Sequence, residues 1–493
     1  MLNNNKVNSS RPSVFRTMDW WVVGIYLLML IFGWFSICGA SYTYGDTELF
    51  SLSSRSGMQI VWICSALAIA LVIMLLDYNM FDAFSYIIYG AFLIVLFLTI
   101  FNPKQIHGSR SWLVMGPVRI QPAEFAKFAT ALAVAKLMNS YEFNHNRFRH
   151  WALAVGIVLM PMFFIILQKE TGSALVYLAF FLMFYREGMS GSVLFVGVAM
   201  VYYFTVGLKY ADIDMLGTPT SLGTFLVLLG VLVFSVVMAY VYEKDKRELY
   251  TLGTATLGTT LLFVLFSKFV IPFNVNIVMG ILCTALIAWF LFKGFKNSFM
   301  HYVYIAIFAI GSIGFFGTAD YVMNDVMKPY QRARINVLLG LENDINGIGY
   351  NVHQSQIAIG SGGFAGKGFL NGTQTKLKYV PEQDTDFIFC TIGEEEGFLG
   401  CFAVLVMFLV LIVRIIHLAE QQATRFARVY GYCVASIFIF HIFINIGMVL
   451  GLTPVIGIPL PFFSYGGSSL WGFTILLFIF LRLDAGRKLA AEL

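Results

Sequence analysis

Apolar residues run along this chain in long blocks, separated by short polar or charged stretches. Many blocks are about 18 to 22 residues long, the length that spans the hydrocarbon core of a bilayer as a helix. They lie near residues 19–39, 58–76, 84–101, 123–140, 151–168, 172–185, 191–209, 221–242, 250–267, 273–292, 301–317, 398–417, 428–451 and 468–481. The pattern predicts an all-α polytopic membrane protein, a bundle of about 14 transmembrane helices. The blocks at 172–185 and 468–481 are short, as tilted or partly re-entrant segments would be. Composition agrees: 59% of the 493 residues are hydrophobic and 12% are charged, against roughly a quarter charged in a soluble domain.

The Lys and Arg residues orient these blocks, because basic residues concentrate in short cytoplasmic connections. With the N-terminus inside, the alternate connections carry Arg147 and Arg149, Arg186, then Lys244, Lys246 and Arg247, then Lys293 and Lys296. Arg414, Arg425 and Arg428 follow, and Arg482, Arg487 and Lys488 lie in the tail. Both ends, 1–18 and 482–493, are expected as cytoplasmic tails of an inner-membrane protein. The start is polar and basic (Lys6, Arg11, Arg16). The apolar block after it is too long for a signal-peptide core and reads as the first permanent span. A net charge of +5 without a basic arm gives no footprint for nucleic acid. The six cysteines form no C-x-x-C pair, which argues against a disulfide framework or a zinc site.

Two connections placed outside keep basic residues against this bias. Residues 102–123 carry Lys104, Arg110 and Arg119, and the long connection 318–385 carries Arg332, Arg334 and Lys367. Such retention points to an anionic ligand at the outer surface; the plainer explanation is that long or late loops are weakly constrained by charge. The long connection contains a glycine-rich run, Gly360 to Gly368. Clustered glycines permit positive φ and close backbone approach, which suits an anion, or simply a flexible surface loop. The run is not a Walker A loop, which would need Gly at Ser361 and Ser or Thr at Gly368.

Asp386 stands where the long connection meets an apolar stretch. Partial desolvation there would favour a carboxylate acting as a base. Taken alone, an Asp ahead of an apolar helix reads first as an N-cap. A second group lies at the start of the block 123–140, where Glu124 and Lys127 share a helical face and can pair. Ionisable residues in a span face the bundle interior or a wet cavity; a buried pair that only fixes packing is the alternative. Of the adjacent Glu394, Glu395 and Glu396, not all can face one side of a helix. Residues 453–469, with Pro454, Pro459, Pro461, Gly466 and Gly467, read as a broken helix lining a cavity.

These strings resemble the shape, elongation, division and sporulation family of peptidoglycan polymerases. The resemblance rests on KPYQRARI at 328–335, GYNVHQSQIAIGSGGFAGKGFLNGTQ at 349–374, VPEQDTDFIF at 380–389 and IGEEEGFLG at 392–400. It extends to GSRSWLVMGPVRIQPAEFAKF at 108–128, LQKETGSAL at 167–175 and GLTPVIGIPLPFFSYGGSS at 451–469. The GKGFLNGTQ version is similar to the elongation member rather than the division member. The resemblance implies ten helices with a large extracytoplasmic loop before the eighth. It implies a glycosyltransferase that polymerises lipid II with an undecaprenyl-diphosphate-linked glycan, working beside a class B penicillin-binding transpeptidase. It implies Asp386 as the catalytic residue, and Glu124 and Lys127, which match the Glu and Lys of a further family motif, as substrate-binding residues. Arg110, Lys127, Arg332, Arg334 and Lys367 are then candidates to bind the diphosphate; a divalent cation could share that task, and no ligand set for one is legible.

The chain departs from the family pattern in four places. Asp384 stands where His is usual, Glu170 where Asp is usual, and Glu396 where an apolar residue is common. An insertion of about four spans is expected at 210–300, an even number that keeps the sidedness of the loop. The competing class is a flippase for the same lipid, which the many spans, Glu124, Lys127 and the broken segments also suit. The acids at the membrane edge and the lack of a clear inverted repeat argue against it.

Overall fold

A computed structural model describes residues 14–42, 50–102, 109–115, 118–242, 246–296, 300–342, 347 and 349–492. Lys6, Arg11, Lys104 and Lys244 lie outside the described residues. A short turn, α1 (Val14–Thr17), leads into α2 (Trp20–Ser41), α3 (Arg55–Leu75) and α4 (Tyr78–Ile100). An antiparallel hairpin follows, β1 (Leu113–Met115) with β2 (Val118–Ile120), in which Val114 faces Arg119. Next come α5 (Pro122–Asn139), α6 (Phe148–Leu167), α7 (Thr171–Leu175), a 3-10 turn (Val176–Ala179) and α8 (Phe180–Arg186). The middle of the chain forms α9 (Gly191–Lys209), α10 (Leu222–Tyr242), α11 (Lys246–Phe269), α12 (Val275–Lys296), α13 (Met300–Tyr321), a π turn (Val322–Val326) and α14 (Pro329–Leu339). The last part forms α15 (Tyr350–Gly362), α16 (Thr373–Lys376), α17 (Ile388–Glu395), α18 (Gly397–Glu420), α19 (Arg425–Val449) and α20 (Gly467–Glu492).

Among the described residues, 12 helices are long and apolar enough to cross a membrane. The other two expected blocks are α5, polar through Glu124, Lys127 and Lys136, and the interrupted run 171–186. Side-chain oxygens set several helix starts by accepting amides that no helical carbonyl can reach. Asp19 caps α2 through Val22 N–H (3.2 Å), Ser54 caps α3 through Gly57 N–H (3.0 Å), and Thr424 caps α19 through Ala427 N–H (3.3 Å). Pro122 opens α5 at the first turn, where its missing N–H costs nothing.

The chain forms two compact units, residues 1–189 with 350–493, and residues 190–349. The first is packed around Tyr26, Tyr177, Phe180, Phe438, Phe463 and Phe473; the second around Tyr203, Val227, Met279, Leu286 and Phe290. The second is larger than the insertion expected at 210–300. Helix α9 packs on α10 and α13, so the helices flanking the insertion join it. The long connection expected at 318–385 is divided accordingly, since α15 packs on α17 and α19 of the first unit.

Helix α20 also differs from expectation. It does not end near 481 but runs to Glu492. Asp484, fully buried, accepts from Gln422 (2.8 Å) and Arg487 (3.0 Å) and is ion-paired with Lys488 (2.8 Å), while Arg482 donates to Leu76 O (2.7 Å). Paired in this way, the charges stay in the helix rather than opening a solvated tail.

The glycine-rich run is built into the protein's own backbone. Lys367 and Gly368 N–H donate to the carbonyls of Glu394 (3.0 Å) and Glu395 (2.9 Å), and Phe398 N–H donates to Gly363 O (3.0 Å). Gly366 has φ +78°, and a Cβ there would strike the Glu395 carbonyl. The close approach expected for an anion is made to the α17–α18 junction instead. Below it, the buried Glu394 carboxylate accepts from Thr373, Gln374 and Thr375 N–H (2.7, 2.8 and 2.9 Å) and from Lys367 Nζ (2.7 Å).

Burial alone would raise the Glu394 carboxyl, but Lys367 and these amides pull it down to about 2. Its neighbour Glu395, packed against Gly39, is driven by burial up to about 7. A lowered carboxyl stabilises the fold above its ordinary value near 4.5, and that contribution is lost as pH falls toward 2. Glu394→Gln should therefore cost about 3 kcal/mol at neutral pH. Thermal melting in detergent should show the gap to wild type closing as pH falls from 5 toward 2.

Candidate active site

The stretch Val380 to Phe387 runs without helix or strand, so its polar backbone needs partners from elsewhere. Three successive carbonyls find three different donors. Asp384 O accepts from Tyr465 N–H (2.8 Å), Thr385 O from Ser464 Oγ (2.6 Å), and Asp386 O from Asn445 Nδ2 (2.8 Å). The same Asn445 amide donates to Ile458 O (2.6 Å), and Ser464 Oγ accepts Leu460 N–H (2.8 Å). Gln383 is buried and donates to Ala40 O (2.6 Å) and Thr375 O (2.7 Å). The segment is thus fixed against the broken stretch between α19 and α20, against the end of α2, and against α16.

The three carbonyls leave Asp386 partly exposed between buried Asp384 and buried Phe387. Its Oδ2 lies 3.1 Å from the position a Cβ on Gly457 would take. Asp386 is not the helix cap: the N-cap of α17 is Phe387, and no side chain caps that end. Asp384 is buried and ion-paired with Arg55, whose guanidinium also lies 5.9 Å from the Tyr465 ring centre. Arg55 remains half-exposed beside the carboxylate segment.

Glu124 and Lys127 are both buried and form an ion pair at 2.7 Å. Lys127 also contacts His441 Nε2 (3.0 Å) and lies 4.6 Å from the Phe473 ring centre. His441 Nδ1 faces Pro459 O at 3.1 Å. The pair therefore reaches the same broken stretch that holds Asp386, through α19. Arg110 belongs to a neighbouring turn: its N–H donates to Gln168 O (3.0 Å), and Ser111 Oγ donates to Glu170 (3.1 Å). Gly172 of that turn packs on Ile456 O. The Nε of Arg110 is buried with no hydrogen-bond partner among the described residues.

The remaining candidates have other surroundings. Lys367 is bound to Glu394 and Thr373 (both 2.7 Å), so its charge serves the fold of the loop. Arg332 and Arg334 lie on α14 in the second unit; Arg332 is exposed and Arg334 lies over Tyr330. Among the described residues, no cluster of three His, Cys, Asp or Glu side chains could hold a metal ion. Reading the chain alone missed Arg55, His441 and Asn445. The last two carried a signal, as polar residues one turn apart in an otherwise apolar span.

A family model described as cell cycle protein, FtsW/RodA/SpoVE, matches residues 19–214 and 230–489. The peptidoglycan glycosyltransferase RodA of Treponema pallidum is 30% identical over 466 residues, 93% of this chain and 97% of its own length. The peptidoglycan glycosyltransferase MrdB of Escherichia coli K12 is 48% identical over 145 residues, 29% of this chain and 39% of its own. Among solved structures, one chain of a peptidoglycan synthase complex that coordinates polymerization and crosslinking superposes with a TM-score of 0.55. It is 22% identical, over 95% of this chain and 98% of that one. The rod shape determining protein RodA of Thermus thermophilus gives a TM-score of 0.50 at 21% identity, over 95% and 97%.

Gly457 has φ +75° and faces the Asp386 carboxylate. Gly457→Ala should cost about 1–2 kcal/mol through the left-handed backbone alone, read as a lower melting temperature in detergent, and should displace the Asp386 side chain in a structure of the variant.

Proposed function

The chain belongs to the FtsW, RodA and SpoVE family, and from that membership we propose that it is a peptidoglycan glycosyltransferase that polymerises lipid II for cell-wall elongation and rod shape, with Asp386 as general base. The observation that carries the assignment of the base is the partly exposed Asp386 carboxylate on a backbone segment held at three consecutive carbonyls. Asp384 and Glu394, the acids on either side, are buried in ion pairs with Arg55 and Lys367.

The acceptor is the 4-hydroxyl of the GlcNAc unit of lipid II. A sugar hydroxyl is a poor nucleophile near neutral pH until a base takes its proton in the transition state. Asp386 accepts that proton as the oxygen attacks the anomeric carbon of the donor glycan. The new C–O bond forms as the bond to undecaprenyl diphosphate breaks, and attack from the opposite side turns an α-linked donor into a β-linkage. The departing diphosphate supplies the driving force, so no nucleotide is required.

The diphosphate gathers negative charge as it leaves, and fixed cations lower that barrier. Arg110, with its unpaired Nε, is assigned this role. Glu124 and Lys127, closed onto each other in the core, support the site from within, and Lys367 holds the loop. The protein sits in the inner membrane with both ends in the cytoplasm, so the long connection faces the periplasmic side where lipid II is presented. A class B penicillin-binding transpeptidase is its partner; a chain of similar fold is part of a peptidoglycan synthase complex.

Asp386→Ala should lower glycan formation from purified lipid II by roughly 10²–10⁴-fold, with melting temperature retained; near-wild-type polymer on a gel would remove Asp386 from its role. Arg110→Ala should weaken turnover with the fold intact, and an unchanged rate would assign Arg110 to loop structure.

A further inference from the structure

We propose that Asn445, backed by His441, is a positioning residue for Asp386; the inference rests on the reading of Asp386 as the base. Helix α19 is apolar along most of its length, yet it buries two polar side chains one turn apart, His441 and Asn445. Residues four apart lie on one helical face. In a dry interior, such groups are costly unless each donor finds an acceptor.

Asn445 has two amide hydrogens on Nδ2, and its two acceptors, Asp386 O at 2.8 Å and Ile458 O at 2.6 Å, take one each. His441 Nδ1 faces a carbonyl, Pro459 O, so it must carry the proton. Its Nε2 is then a lone pair that accepts from Lys127 at 3.0 Å. Glu124 holds Lys127 in place at 2.7 Å. One face of one helix thereby anchors the peptide from which the Asp386 side chain hangs and the two carbonyls that follow Gly457. Gly457 is the wall against which the Asp386 carboxylate rests. Asn445 and His441 are 0% and 1% exposed, out of reach of substrate, so they act through Asp386 and the stretch beside it.

An aspartate at 445 has nearly the same shape but presents oxygens, not N–H groups, to the two carbonyls. Purified full-length Asn445→Asp, Asp386→Ala and the double variant are compared with wild type on lipid II in detergent. Asn445→Asp should lower kcat by roughly a hundredfold, as expected for a misplaced catalytic group, with KM for lipid II and melting temperature little changed. In the Asp386→Ala background it should add no further loss, because residues that act as one unit are not additive. Asn445→Ser, which keeps one donor, should be intermediate; it also decides the matter if the aspartate variant does not fold. Wild-type kcat in Asn445→Asp or Asn445→Ser, a raised KM at unchanged kcat, or multiplied losses in the double variant would overturn the proposal. Should Asp386→Ala stay active, the assignment of the base falls as well; if it is inactive while Asn445→Asp is not, only the positioning role falls.

Discussion

Irregular backbone inside a bundle survives only when every buried N–H and C=O finds a partner, and this constraint organises the candidate active site. Two stretches without helix, Val380 to Phe387 and the segment between α19 and α20, meet the requirement by bonding to each other and to α19. Pro454, Pro459 and Pro461 help by bringing no amide hydrogen to satisfy. The carbonyls of Asp384, Thr385 and Asp386 are consequently held at three points, and the direction of the Asp386 side chain follows from them.

Environment, not residue type, separates the roles of the acids. Asp384 is buried against Arg55. Glu394 is buried against Lys367 and three amides, which hold it ionised to low pH. Glu395, one residue further on, packs against Gly39 at the end of α2, and burial pushes its carboxyl up to about 7. Adjacent residues on a short helix point about 100° apart, so one meets a cation and amides while the other meets an apolar helix. Of these four acids, Asp386 is the one left partly exposed.

The middle unit, residues 190–349, has its own core of aromatic and aliphatic side chains. It is closed by local contacts: Thr220 Oγ1 accepts Val275 N–H (3.0 Å), and Asn276 donates to Ser221 O (3.1 Å). These bonds tie the connection ahead of α10 to the start of α12, so the polar groups of both turns are satisfied within the unit.

The helical membrane bundle, the order of its blocks and the motifs that mark the family are legible in the chain, because apolar length and charge bias are local properties; the far end of α20, held by Asp484, is not. The sequence also singled out Asp386 and the Glu124–Lys127 pair. What each charge meets depends on the packing of distant segments. Lys367 reads as a free cation along the chain but is bound to Glu394, 27 positions away. The glycine run reads as an anion cradle but packs on the α17–α18 junction. Arg55 reaches Asp384 and Asn445 reaches Asp386 across separations of 329 and 59 residues. Hydrophobic periodicity records which face of a helix is buried; it holds no record of which distant backbone group a buried polar side chain will satisfy, since that depends on how the helices pack.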